Sequence, residues 1–227
     1  MRKIFLLIVA LVIVNNTFSQ AKFGIKAGFN FASVSNVKVS ASGMSMDIYE
    51  KEGMSVGFNT GVFANISLGD IIGFQPELLF SLQGGKQKLN SLLADAAGMP
   101  AGAKISYQFG YIQLPLLLEI KPVENLGILA GPQLGFNISK KATATYGGES
   151  ETISGSEFND EYGDGFKSFD AGLILGLQYT IQKVTIGARY NFGLTNSLDF
   201  SETFDGVRGS AKGWKNSVFQ LGVGLLF

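Results

Sequence analysis

The sequence predicts an all-β fold: an eight-stranded antiparallel transmembrane β-barrel with three short periplasmic turns and four long extracellular loops. Three observations lead there. Apolar and polar residues alternate with period two through eight segments. The connections between those segments are alternately short and long, which puts every short turn at one end of a barrel and every long loop at the other. The apolar parity of all eight segments contains no charged residue. That matters on a face turned to lipid, where a mid-bilayer Lys or Arg costs about 2–4 kcal/mol.

Residues 1–19 read as a signal peptide. Arg2 and Lys3 precede an apolar run from Ile4 to Val14, and Thr17 and Ser19 supply small side chains before a cleavage site. The run falls short of the roughly 20 apolar residues that span a bilayer as a helix. Residues 20–227 form one barrel domain, since no shift in composition marks a second.

The first strand sets Phe23, Ile25, Ala27, Phe29 and Phe31 against Gly24, Lys26, Gly28 and Asn30. Val56 to Leu68 alternates in the second, Ile72 to Leu82 in the third and Ile112 to Ile120 in the fourth. The fifth runs from Leu126 to Ile138, the sixth from Phe169 to Ile181, the seventh from Val184 to Phe192, and NSVFQLGVGLLF from Asn216 is the eighth. Tight connections fall at Gly69-Asp70, at Pro122 to Asn125 and at Gln182-Lys183. Pro76, Pro115 and Pro132 sit inside strands and each removes a ladder donor, so bulges or broken pairing are expected there. Ile105, Tyr107 and Phe109 have the opposite parity from Ile112 and Leu114. A phase change near Tyr111, by a bulge or a strand continuing above the membrane, would account for it.

Period two alone does not say which face is outside. A soluble barrel with an apolar interior would carry Lys and Glu on its outer face, whereas the polar parity here is mostly Gly, Asn, Gln, Ser and Thr, suited to a narrow lumen that side chains fill. Aromatic residues also collect at the two ends of the strands: Phe29, Phe31, Phe58, Phe80, Phe136, Phe169, Tyr190, Phe192 and Phe219 toward the loops, and Phe23, Phe74, Tyr179 and Phe227 toward the turns. These are the two girdles of a membrane barrel. The terminal strand, with Phe219, Leu221, Val223, Leu225 and Phe227 facing lipid, is expected to close against the first, because a barrel leaves no edge.

Composition narrows the function. With 18 basic and 18 acidic residues the chain has no net field for polyanions, and nucleic acid is not an expected partner. It has no histidine and no cysteine. Ser-His and Cys-His activation are therefore absent, no paired carboxylate motif replaces them, and no enzyme activity, catalytic residue, cofactor or metal is expected. By parity Lys26, Glu77, Glu119, Asp170 and Arg189 point into the lumen. They form either a charged constriction of a narrow channel for ions or small solutes, or an ion-pair and amide network plugging the bore. Eight strands favour the plug. The third loop, from Lys140, concentrates Glu149, Glu151, Glu157, Asp160, Glu161 and Asp164, a solvated acidic segment by its spacing. LNSLLADAAGM from Leu89 is expected to form a short helical turn over the mouth.

FGIKAGFNFASVS from Phe23, GFNTGVFANISL from Gly57, QPELLFSLQGGK from Gln75, YIQLPLLLEI from Tyr111, LAGPQLGFNIS from Leu129, ARYNFGLTN from Ala188 and the terminal VFQLGVGLLF follow one another in this order. In them the chain resembles the PorT-like outer-membrane β-barrel proteins of the Bacteroidetes. The resemblance implies the barrel fold, the outer membrane and its lipid as surroundings, and a terminal strand read by the assembly machinery. It also implies a structural or interaction role with protein partners at the extracellular loops, and a link to protein secretion through the type IX system. No catalytic motif comes with it.

Overall fold

A computed structural model describes residues 21–41, 44–89, 104–146, 148–158, 166–204 and 207–227. The expected signal peptide, most of LNSLLADAAGM, and Asp160, Glu161 and Asp164 lie outside them. Among the described residues one sheet holds β1 (Ala21–Val34), β2 (Val37–Ala41), β3 (Met44–Gly53), β4 (Ser55–Ser67), β5 (Ile72–Leu89), β6 (Lys104–Val123) and β7 (Leu126–Tyr146). It continues with β8 (Glu149–Ser154), β9 (Phe169–Ile181), β10 (Val184–Gly193), β11 (Leu198–Phe204), β12 (Val207–Gly213) and β13 (Asn216–Leu226).

Eight of these strands close a ring in the order β1, β4, β5, β6, β7, β9, β10, β13, every neighbouring pair antiparallel. The closing seam runs from Gly24 opposite Leu226 to Val34 opposite Asn216. The three tight turns join β4 to β5, β6 to β7 and β9 to β10. At the last of these Gln182 takes a left-handed backbone, φ 55°.

In the ring the apolar parity faces outward. Phe23, Ile25, Phe29, Phe58, Val62, Leu78, Leu118, Leu175, Ile186 and Val223 are exposed, while Asn30, Gln75, Glu77, Gln113, Gln133 and Gln220 are buried inside. The upper aromatic belt is in ring contact from strand to strand: Phe31 with Phe219 at 6.3 Å, Phe58 with Phe80 at 5.8 Å and Phe136 with Phe169 at 5.5 Å. The inner face also holds apolar side chains that polar-face parity did not anticipate, Phe63, Leu79, Leu117, Leu129 and Ile174.

The long connections are not plain loops. β2 and β3 form a hairpin between β1 and β4, β11 and β12 another between β10 and β13, and β7 runs on to pair with β8. Together with the upper halves of β5, β6 and β7 they make an open upper part of the same sheet, the upper sheet, in the order β11, β12, β2, β3, β5, β6, β7, β8. The acidic segment expected as a loop is thus in part a hairpin. It is laced by the hydroxyl pairs Thr143–Thr152 (2.9 Å) and Thr145–Ser150 (3.0 Å), and Gly148 at φ 88° lies between its strands.

Of the two causes expected for the opposite parity of Tyr107 and Phe109, the structure has the strand that continues above the membrane, with no phase change within β6. Tyr107, Phe109, Tyr111, Gln113, Leu117 and Glu119 are all buried, so one parity of β6 stays inward along its length. What inverts is the solvent: below the aromatic belt the outside is apolar, and above it the outside is water, so apolar residues move to the inside. The irregularity is on β7, where Gly110 pairs with Ser139 but Tyr111 with Asn137, leaving Ile138 as the extra residue of a bulge.

Each strand proline interrupts a single ladder. Pairing between β4 and β5 jumps from Phe63–Glu77 to Ile66–Phe74 past Pro76. Between β5 and β6 it jumps from Pro76–Leu116 to Leu79–Gln113 past Pro115, and between β6 and β7 from Pro115–Gln133 to Leu118–Ala130 past Pro132. The missing donor costs one ladder locally while the other flank stays paired.

Candidate functional site: a filled lumen and a capped mouth

Three adjacent inner glycines, Gly28, Gly222 and Gly187, stand opposite one another on β1, β13 and β10. A side chain at Gly28 or Gly222 would run into the backbone of the neighbouring strand, so the strands approach closely there, and Gly187 and Gly222 line the same small cavity as Lys26 and Arg189. Both reach Glu77 on β5, two strands from Lys26 and across the bore from Arg189: Lys26 Nζ donates to Oε1 at 2.9 Å, and Arg189 Nη1 to Oε2 at 2.7 Å. Arg189 Nε also donates to Gln220. Lys26 Nζ lies 5.7 Å from the ring centre of Phe63, and that ring lies across Gly24 and Gly224.

Amides extend this triad in both directions. Gln75 donates to Glu77 at 2.7 Å, Asn65 to Glu119 at 2.7 Å and Gln220 to Asn30 at 2.8 Å. Asn30 in turn donates to Ser81 at 2.9 Å. Buried charges inside a low-dielectric bore are tolerable only when paired and hydrogen-bonded in this way. The five lumen charges occupy three levels. Glu119, near the turns, takes Asn65 and Lys121 (3.3 Å) as partners. Lys26, Glu77 and Arg189 form the middle level. Asp170 is apart from them near the mouth, accepting from Thr195 at 2.6 Å and Asn216 at 3.2 Å. Beside the middle level, the cavity bounded by Lys26, Asn59, Gln178, Arg189 and Gln220 measures about 30 Å³, the space of one water.

Above Asp170 the bore is closed again, by apolar packing. Val34, Val37, Tyr107, Phe109, Tyr111, Ala142, Phe158, Phe166 and Trp214 form one buried cluster inside the upper sheet. Trp214 lies edge-on to Tyr107 at 4.0 Å and against Phe166 at 4.6 Å, and its indole N–H donates to Gln87 at 2.7 Å. This cap was not read from the sequence as a unit. Its signal was the aromatic run Tyr107, Phe109, Tyr111 on the inward parity of a strand that is polar inside further down.

On the outer side of the upper sheet Asp199 sits between Lys167 (2.7 Å) and Lys212 (3.6 Å). The hydrogen bond from Lys167 holds its carboxyl below the usual range.

A closed ring with apolar residues outward, aromatic belts and paired charges within defines a membrane-embedded β-barrel whose interior is packed. The chain belongs to the outer membrane protein beta-barrel domain family, whose model matches residues 15–199. It is a protein of the bacterial outer membrane. No curated protein matches it in sequence. Solved structures similar to it include the outer membrane protein OprG of Pseudomonas aeruginosa, 13% identical over 91% of this chain and 96% of that one, TM-score 0.47. Ail, the attachment invasion locus protein of Yersinia pestis, solved with a heparin analogue, is 16% identical over 92% and 99%, TM-score 0.38. The outer membrane protease OmpT of Escherichia coli is 7% identical over 91% and 97%, TM-score 0.41.

Proposed function

We propose that this barrel is a non-conducting scaffold that acts through its extracellular sheet, holding protein partners at the cell surface, and that it is accessory to type IX secretion as the resemblance to PorT-like proteins implies. The filling of the lumen at two separate heights carries the reading. The Lys26–Glu77–Arg189 triad spans the bore within the ring, and the Trp214 cluster fills the upper sheet. A solute passing through would have to break ion pairs at one level and unpack an aromatic core at the other. A charged constriction for a narrow channel would instead need like charges lining open space.

Two measurements test this. Purified, folded protein in planar bilayers should give no steady single-channel current, and a reproducible unitary conductance would overturn the scaffold reading. Deleting the gene should reduce delivery of type IX cargo to the surface while leaving small-solute uptake unchanged; intact cargo delivery would remove the secretion role.

A further inference from the structure

The outer face of the upper sheet differs sharply around its circumference. On β5 to β8 it displays Lys86 and Lys88, then Lys104, Ser106 and Gln108, then Lys141, Thr143 and Thr145, then Ser150 and Thr152. The alternation with the buried Gln87, Tyr107, Phe109 and Ala142 places them there. Among the described residues Glu52, on the β3 side, pairs with Lys104 on this face. No carboxylate within salt-bridge distance of Lys86 or Lys141 is found among the described residues. On the other part of the sheet Lys167 and Lys212 share the carboxylate of Asp199. The β5–β7 face thus keeps a surplus of positive charge on a chain whose net charge is zero.

Height decides what that charge meets. Phe80, Ile112 and Phe136 are neighbours across the three strands and lie in the upper aromatic belt. Gln108, beside Lys141, is four residues further up β6, so at about 3.4 Å per residue and a tilt of about 40° the first lysine stands roughly 10 Å above the belt. Lys86, beside Ser106, is two residues higher. This is the level of the phosphates of the outer leaflet, where ammonium groups and hydroxyl donors bind phosphate oxygens by charge-assisted hydrogen bonds. Basic residues just outside the apolar span are how a membrane protein recruits anionic headgroups.

We propose that the outer face of β5 to β7 is a binding site for the phosphorylated headgroup of an outer-leaflet glycolipid. Lys86 and Lys141 take the phosphates, and Ser106, Gln108 and Thr143 supply neutral donors. Lys86 and Lys141, two strands and two residues apart in register, lie roughly 12 Å from each other at the backbone, a span that two extended side chains close around one headgroup.

The test uses the whole folded barrel in nanodiscs of zwitterionic lipid doped with a bisphosphorylated lipid A, with bound glycolipid counted by native mass spectrometry. The double variant Lys86→Gln/Lys141→Gln should lose affinity by about tenfold or more, with heat-modifiable migration unchanged as the check on folding. Lys38→Gln/Lys212→Gln removes the same charge elsewhere on the upper sheet and should leave binding intact. The dephosphorylated lipid should bind weakly to every variant. An equal loss in the control pair, equal binding of the dephosphorylated lipid, or equally tight binding of the soluble, deacylated bisphosphorylated disaccharide would each overturn the proposal, the last by placing the ligand's source outside the leaflet.

Discussion

The backbone amide of Phe227 donates to the carbonyl of Phe23 at 2.9 Å, so the two faces of the seam between β1 and β13 are tied at the lower rim. One residue earlier, Leu226 donates to the carbonyl of Lys183 in the turn before β10 at 2.7 Å. The lower end of β13 is therefore held from both sides. Deleting Phe227 should remove the rim bond and one ring of the lower belt. The fraction of protein that migrates as the compact, heat-modifiable form on unheated gels of outer-membrane fractions should fall clearly. An unchanged fraction would show that the seam above suffices.

Glu77 answers two cations. Glu77→Gln would leave Lys26 and Arg189 facing each other in a bore with nothing to neutralise them, and breaking a buried pair in this manner costs about 3–5 kcal/mol. Replacing all three at once, by Lys26→Met, Glu77→Leu and Arg189→Met, removes the charges together and should cost far less than the single change. Urea unfolding of micelle-refolded protein, followed by gel migration, measures the order. A triple variant weaker than Glu77→Gln would mean the network contributes net stability.

A Cβ on Gly24 would stand 2.6 Å from both the Phe63 ring and the carbonyl oxygen of Leu225. Gly24→Val should destabilise the barrel by about 1–3 kcal/mol through overpacking. Adding Phe63→Ala should recover part of that loss, because the two residues share one space; strictly additive losses in a double-mutant cycle would show that the ring does not depend on the glycine.

The cap and the lumen plug are separate barriers. Trp214→Ala removes a buried ring of the kind worth about 3–5 kcal/mol and leaves Gln87 without its indole donor. The upper sheet should become sensitive to trypsin at its lysines while the ring keeps its heat-modifiable migration. Current in planar bilayers should still be absent, since the Lys26–Glu77–Arg189 level is untouched. Conductance in Trp214→Ala alone would show that the lower level does not seal.

The ring was legible because lipid imposes one rule on every spanning strand, apolar outward, and period two then gives strand, face and turn at once. Pro76, Pro115 and Pro132 likewise announced their broken ladders. The upper sheet was hidden because the rule reverses there: Tyr107 and Phe109 obey water, whereas Ile112 and Leu114 obey lipid, and a reader holding one rule sees a defect in the strand. Thr143, Thr145, Thr152 and Ile153 carried a hairpin signal that the neighbouring acidic residues masked. Parity placed Lys26, Glu77 and Arg189 on the inner face, but their meeting depends on partners 51 and 112 residues apart, which only the closed register brings together. The inner position of Phe63 was missed for a related reason, since a lone apolar residue on a polar parity has meaning only beside the glycines it covers.

The molecule has two storeys with different mechanics. In the lower ring every strand is stitched on both sides, so no strand leaves without tearing two ladders. The upper sheet has a slit between β8 and β11, where the described residues show no ladder but an isolated bridge from Phe166 to Leu198, the Lys167 amide bonded to the Ser197 carbonyl and the Lys167–Asp199 ion pair. The upper storey can unzip from that slit, strand by strand, while the ring below stays shut. Amide protons should report this as a gradient, exchanging first along β8 and β11 and last along the seam of β1 and β13.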